Sequence, residues 1–121
     1  MKILLLFGAL ALSINVFAQS TVKIGNLEVM TEDLGAQNWE NAKKACKNLG
    51  DGWRLPSKNE LNLLYENKEK IGGFAEHWYW SSTDFKKKKY TAWVQYFGDD
   101  LRTQMYNYKY STCYVRAVRT F

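Results

Sequence analysis

The chain is poor in the residues that most often carry chemistry. It has one histidine (His77), one proline (Pro56) and two cysteines (Cys46 and Cys113) among 121 residues. With a single histidine and no C-x-x-C, neither a zinc-ligand spacing nor a thiol redox motif can be assembled. No glycine-rich phosphate loop occurs either. His77 has only Glu76 nearby in sequence and is taken as an incidental polar residue. Ser81, Ser82 and Thr83 offer hydroxyls, but no base and carboxylate accompany them, so they are read as strand-end hydrogen-bonders. Cofactor and metal are both expected to be absent. The chain also lacks long apolar runs beyond its first residues, low-complexity linkers and internal repeats.

What is present starts with a leader. Met1-Lys2, the apolar run Ile3–Leu12 and the small residue Ala18, with Val16 at −3, read as a cleavable secretory signal over residues 1–18. The run is too short to span a bilayer, which takes about 20 residues. Residues 19–121 then form one domain of 103 residues, with no transmembrane segment after cleavage. The expected location is periplasmic, extracellular or at the cell surface. Loss of Lys2 takes the formal charge of +5 to +4, and four positive charges are consecutive at Lys86–Lys89. An exported basic protein meets anionic glycans, lipid headgroups or acidic proteins sooner than nucleic acid. A plain solvated loop is the alternative.

In an oxidising compartment an even pair of cysteines reads most simply as a disulfide. Cys46–Cys113 would close a loop of nearly 70 residues, worth about 4 kcal/mol on chain entropy. A reactive thiol pair is the competing reading.

The pattern along the mature chain is α+β. Residues 21–30 suggest two short strands about a Gly25-Asn26 turn. Asn38 is a good N-cap for a helix whose Trp39, Ala42, Cys46 and Leu49 share one face, and Gly50 stops it. Trp53-Arg54-Leu55-Pro56-Ser57 leads into a second helix, with Ser57 and Glu60 as a capping box. That helix fades near Lys70, before Gly72-Gly73. Strands are expected at 78–83, 90–97, 101–109 and 112–119, with a turn at Gly98-Asp99-Asp100. Cys113, Val115 and Ala117 would share a face of the last strand. Asp99 and Asp100 fall far short of the six to eight oxygens calcium takes and are read as turn formers. Trp39, Trp53, Trp78, Trp80 and Trp93 are expected in the core. Tyr106, Tyr108 and Tyr110 alternate and so share a strand face, either packed or exposed for stacking. Arg102 and Lys109 lie close enough to add polar contacts.

Several stretches in order resemble a bacterial family typified by the C-terminal domain of a collagen-like adhesin, related to the fibrobacter-type major paralogous domain. They are Trp39…Ala42…Cys46, Gly52-Trp53-Arg54-Leu55-Pro56-Ser57…Glu60-Leu61, Tyr79-Trp80-Ser81-Ser82-Thr83, Ala92-Trp93 and Val115-Arg116-Ala117-Val118-Arg119. The resemblance implies a C-type-lectin-like fold, with two helices and a mainly antiparallel twisted sheet. It also implies a cysteine of the first helix bridged to one of the last strand, the places of Cys46 and Cys113. It carries over no calcium–sugar site, because Glu-Pro-Asn, Gln-Pro-Asp and Trp-Asn-Asp are all missing. The closely spaced cysteines of formylglycine-generating enzymes are missing too.

The expectation is an exported, non-enzymatic binding module. Its ligand would be a surface glycan, an anionic polymer or a surface protein. The contact residues would be Lys86, Lys87, Lys88, Lys89, Arg102, Tyr106, Tyr108, Lys109 and Tyr110. A structural component of a surface complex and an exported enzyme are the alternatives.

Overall fold

The computed structural model describes residues 20–98 and 101–121. The expected leader, residues 1–18, and the Asp99-Asp100 part of the expected turn lie outside them. The chain folds as a mixed α+β unit of eight strands and three helices among the described residues.

Strands β1 (Thr21–Ile24) and β2 (Leu27–Met30) form a hairpin about Gly25-Asn26. β3 (Ala36–Gln37) precedes helix α1 (Trp39–Lys47). Asn38 caps α1, its side chain accepting from the Asn41 amide at 2.9 Å. Helix α2 (Lys58–Glu66) opens on the expected capping box. Ser57 Oγ accepts from the Glu60 amide at 3.1 Å, and Glu60 Oε1 accepts from the Ser57 amide at 2.9 Å.

Where one fading helix was expected, α2 ends at Glu66 and a four-residue helix α3 (Lys68–Ile71) follows. Asn67 makes the break, its side chain donating back to the Leu63 carbonyl at 2.9 Å. Strands β4 (Trp78–Asp84), β5 (Thr91–Tyr96) and β6 (Gln104–Tyr108) form an antiparallel meander.

The last expected strand is not continuous. β7 (Cys113–Tyr114) belongs to a five-stranded sheet ordered β3-β7-β4-β5-β6. β8 (Val118–Thr120) belongs to a three-stranded sheet ordered β1-β2-β8. Residues 115–117 cross from one sheet to the other. Their backbone bonds go sideways, with Val115 O accepting from Leu34 at 2.9 Å and Ala117 O from Met30 at 3.1 Å.

The cause of the crossing is Arg116, which is 0% exposed. Its Nε donates to Asp33 Oδ1 at 2.8 Å, and its Nη1 donates to the carbonyls of Met30 and Gly72, both at 3.0 Å. The guanidinium also lies 3.9 Å over the Phe74 ring. The Tyr79 hydroxyl donates to Asp33 Oδ2 at 2.7 Å and accepts from the Ala75 amide at 2.8 Å. Burial, reinforced by the bond to Asp33, pushes the Tyr79 hydroxyl pKa up. Gly73 allows the close approach: a Cβ there would fall 2.3 Å from the Thr31 carbonyl oxygen, and its φ is +75°.

The core has two clusters. One packs α1 through Trp39, Ala42 and Cys46 against Trp53, Leu55, Trp80 and Val115. The other packs α2 through Leu61, Leu64 and Tyr65 against Leu27, Val29, Tyr79 and Phe97. Trp39, Trp53 and Trp80 are buried as expected, whereas Trp78 and Trp93 are only half-buried.

The expected Cys46–Cys113 bridge is absent: both cysteines are free, buried thiols. They share the α1 cluster, but Cys113 Sγ accepts a hydrogen bond from Asn107 Nδ2 at 3.3 Å instead of bonding to sulfur. Burial pushes the Cys46 thiol up to about 12. It raises Cys113 as well, against the pull of the Asn107 bond. Both shifts favour the protonated thiol over the thiolate.

The Arg-Leu-Pro-Ser segment is a lock between elements. Arg54 grips Glu60 with two hydrogen bonds, Nη1 to Oε1 at 2.7 Å and Nη2 to Oε2 at 3.0 Å, and reaches Thr120 Oγ1 at 3.0 Å. The Arg54 bonds, helped by the Ser57 amide, hold the Glu60 carboxyl below the usual range. Pro56 O accepts from the Ser82 amide at 2.8 Å, and Thr83 Oγ1 from the Lys58 amide at 2.9 Å. The Ser81 hydroxyl donates to Trp93 O at 2.7 Å, beside the irregularity between Trp80 and Asp84 in the β4–β5 pairing. The hydroxyls of Ser81 and Thr83 thus serve the fold.

Candidate functional site

The Lys86–Lys89 run is the turn between β4 and β5. Thr91 fixes it: its carbonyl accepts from the Phe85 amide at 3.0 Å, and its hydroxyl donates to Lys88 O at 2.6 Å. All four lysines are exposed. The turn ends at Tyr90, whose φ is +60°. A non-glycine residue in that region is strained, commonly by about 1 kcal/mol or more. The Tyr90 carbonyl is held by the Lys109 amide at 2.8 Å, and the side chain stands 74% exposed.

The tyrosine alternation resolves into a surface row of rings. Trp93 meets Phe85 edge-on at 4.9 Å, and Phe85 stacks on Tyr106 at 4.7 Å. Tyr106 meets Tyr108 edge-on at 6.2 Å, and Tyr108 stacks on Tyr110 at 5.2 Å with 16° between the planes. Tyr106 and Tyr108 are half-buried, while Tyr110 is 75% exposed. Lys88 Nζ lies 5.8 Å from the Tyr106 centroid and 5.7 Å from that of Tyr108. Its bond to the Tyr108 hydroxyl holds the ammonium pKa above the usual value.

Two clefts flank Tyr90. The first, about 450 Å³, runs between Tyr90, Tyr108 and Tyr110 on one side and Asn38, Glu40 and Asn41 of the α1 first turn on the other. The second, about 310 Å³, lies among Asp84, Phe85, Lys86, Lys88 and Lys89. Tyr90 and Lys109 line both.

Of the expected contact residues, Lys86–Lys89, Tyr106, Tyr108 and Tyr110 come together. Lys109 also joins them, but as a clamp. Its Nζ lies 2.7 Å from Asp84 Oδ1 and 3.9 Å over the Trp39 ring, and its carbonyl accepts from the Trp39 amide at 3.0 Å. Arg102 does not join. It pairs with Glu66 at 3.0 Å and lines a separate cleft with Tyr65, Lys68 and Glu69.

Sequence reasoning missed Tyr90 and the first-turn polar residues of α1. Tyr90 directly follows the lysine run, which is a usable signal for an exposed aromatic. Its left-handed backbone is not legible in a tyrosine. Elsewhere, His77 stacks on Tyr114 at 4.5 Å. Among the described residues no group of three or more His, Cys, Asp or Glu is placed to hold a metal ion. No helix among them is long and apolar enough to cross a membrane.

These features define a small α+β domain with one aromatic and basic face built on a sheet edge and its adjoining turn. The chain belongs to the Lcl C-terminal domain family, whose pattern covers residues 18–119. No curated protein matches the chain.

Proposed function

We propose that this protein is an exported, non-enzymatic binding module with a C-type-lectin-like architecture, acting in the periplasm or at the cell surface. Its ligand is an acidic surface glycan or comparable anionic polymer. The observation that carries this reading is the pairing of two adjoining clefts across Tyr90. One offers stacking faces from Tyr90, Tyr108 and Tyr110, and the other offers ammonium groups from Lys86, Lys88 and Lys89. Sugar rings present apolar faces that stack on tyrosine, and anionic substituents seek clustered lysines. The resemblance to the C-terminal domain of an adhesin supports binding over catalysis. The two high-pKa thiols and the fold-serving hydroxyls of Ser81 and Thr83 supply no activated nucleophile.

The test is a glycan array together with a heparin column at low salt. Retention that falls as salt rises, and falls further in a Lys86→Gln/Lys87→Gln/Lys89→Gln variant, supports the reading. Absence of binding to both removes it.

A further inference from the structure

The five-stranded sheet ends at β6 on one side, and that edge carries unpaired backbone groups. β6 is the terminal strand of the order β3-β7-β4-β5-β6. Its pairing with β5 aligns Trp93 with Tyr106 and Gln95 with Gln104. The flanking bonds, Lys109 N to Tyr90 O at 2.8 Å and Tyr96 N to Thr103 O at 3.0 Å, set the alternation. In an antiparallel ladder the hydrogen-bonding residues of β6 are therefore 103, 105, 107 and 109. The backbone groups of Gln104, Tyr106 and Tyr108 point away from the sheet.

Tyr108 is closed internally, its amide donating to Asn107 Oδ1 at 2.8 Å and its carbonyl accepting from the Ser111 amide at 2.9 Å; among the described residues the amides of Gln104 and Tyr106 have no such partner. The strand itself, Gln-Met-Tyr-Asn-Tyr, has no proline and no charge. The usual guards of an edge strand are missing from it.

The two faces beside this edge differ. On one, Met105 is 46% exposed and borders an open cleft of about 220 Å³ with Trp78, Val94 and Asn107. On the other, Tyr106 and Tyr108 lie beneath Lys88, and Lys58 Nζ sits 3.5 Å over the Trp93 ring. Among the described residues neither Lys58 nor Lys88 has an acidic partner. A second copy pairing through β6 would bring these like charges together, so self-pairing is disfavoured.

The geometry points to an extended, acidic peptide segment of a partner protein as the occupant, added antiparallel or parallel to β6. Its side chains alternate in a fixed way: apolar residues over Met105 and its cleft, carboxylates over the Tyr106–Lys88 face. This inference rests on the sheet edge and does not require the glycan reading.

The experiment titrates the protein with a short acetylated peptide alternating Val and Glu. Controls are the same peptide N-methylated at alternate amides and an oligo-Glu of equal charge. Amide hydrogen exchange is followed at Gln104 and Tyr106. The expected result is saturable binding of the Val/Glu peptide, weakened about tenfold or more by N-methylation. Oligo-Glu binds more weakly, and both outward amides gain protection. A Lys88→Glu variant shifts preference toward a Val/Lys peptide. Equal binding of the N-methylated or oligo-Glu control would overturn the proposal, since charge alone would then be recognised. So would no binding, an unchanged preference in Lys88→Glu, or edge protection that appears on dimerisation without peptide. Heparin retention in the same preparation reads the glycan site separately.

Discussion

Two regions of this molecule handle charge in opposite ways. Around Arg116 charge is drawn inward and shared: Asp33, two backbone carbonyls and a phenyl face meet one guanidinium, and the Tyr79 hydroxyl donates to the same Asp33 carboxylate. Around Tyr90, Lys86, Lys87 and Lys89 project into solvent from a turn whose backbone is fixed by a buried threonine. The first arrangement joins chain segments that are far apart in sequence. The second leaves charge available to something outside. A basic residue is therefore informative about function here only once its partner is known.

The comparison breaks most easily at Asp33. Asp33→Ala would leave Arg116 buried without its counter-ion, and urea denaturation should show a loss of about 3–5 kcal/mol. A loss under about 1 kcal/mol would mean that water can reach the guanidinium. Gly73→Ala comes next. The added methyl meets the Thr31 carbonyl and forces a positive φ on alanine, for an expected cost of about 1–3 kcal/mol in the same assay.

Acid should sharpen the contrast further. The bonds from Arg54 to Glu60, and from Thr21 and Arg119 to Glu28, keep both carboxyls below their usual pKa in the folded chain. The unfolded chain therefore takes up protons first as the pH falls. Their contribution is complete above the ordinary Glu range, near pH ~4.3, and is lost as the pH drops through the lowered folded values. Thermal melts across pH 6 to 2 should trace that decline, and Glu60→Gln should flatten it.

At the small end, the triple lysine-to-glutamine variant should move stability by no more than about 0.5 kcal/mol while heparin retention changes. The thiols give a covalent check on the interior. Native protein should resist maleimide, and denatured protein without reductant should take up two labels. Failure to label after denaturation would restore the bridge.

Local rules were legible wherever one residue type does one job. The Asn38 cap, the Ser57–Glu60 box, the Gly25-Asn26 hairpin and the apolar face of α1 all follow from neighbours a few residues away. The split of the last strand was not legible. Val115, Ala117 and their alternation fit a continuous strand equally well, and only a carboxylate 83 residues earlier turns Arg116 inward. The cysteine pair misled for a similar reason. Even number and the expected export favour a bridge, but sequence cannot reveal that Asn107 supplies the Cys113 sulfur with a hydrogen bond. At the site, the lysine run and the tyrosine alternation were visible. Their meeting through Phe85, and the separation of Arg102 from them, depend on how the β4–β5 turn folds back.

The crossing at residues 115–117 bears on when the chain can fold. β7 lies between β3 and β4, and β8 closes the small sheet by aligning Val118 with Val29. The nine-residue helices and the first hairpin are too short to be stable in isolation, and neither sheet is complete without residues 113–120. Pairings so distant in sequence form slowly. Removing residues 113–120 would take β7 and β8 together and strip Cys113, Val115 and Ala117 from one apolar cluster and Val118 from the other.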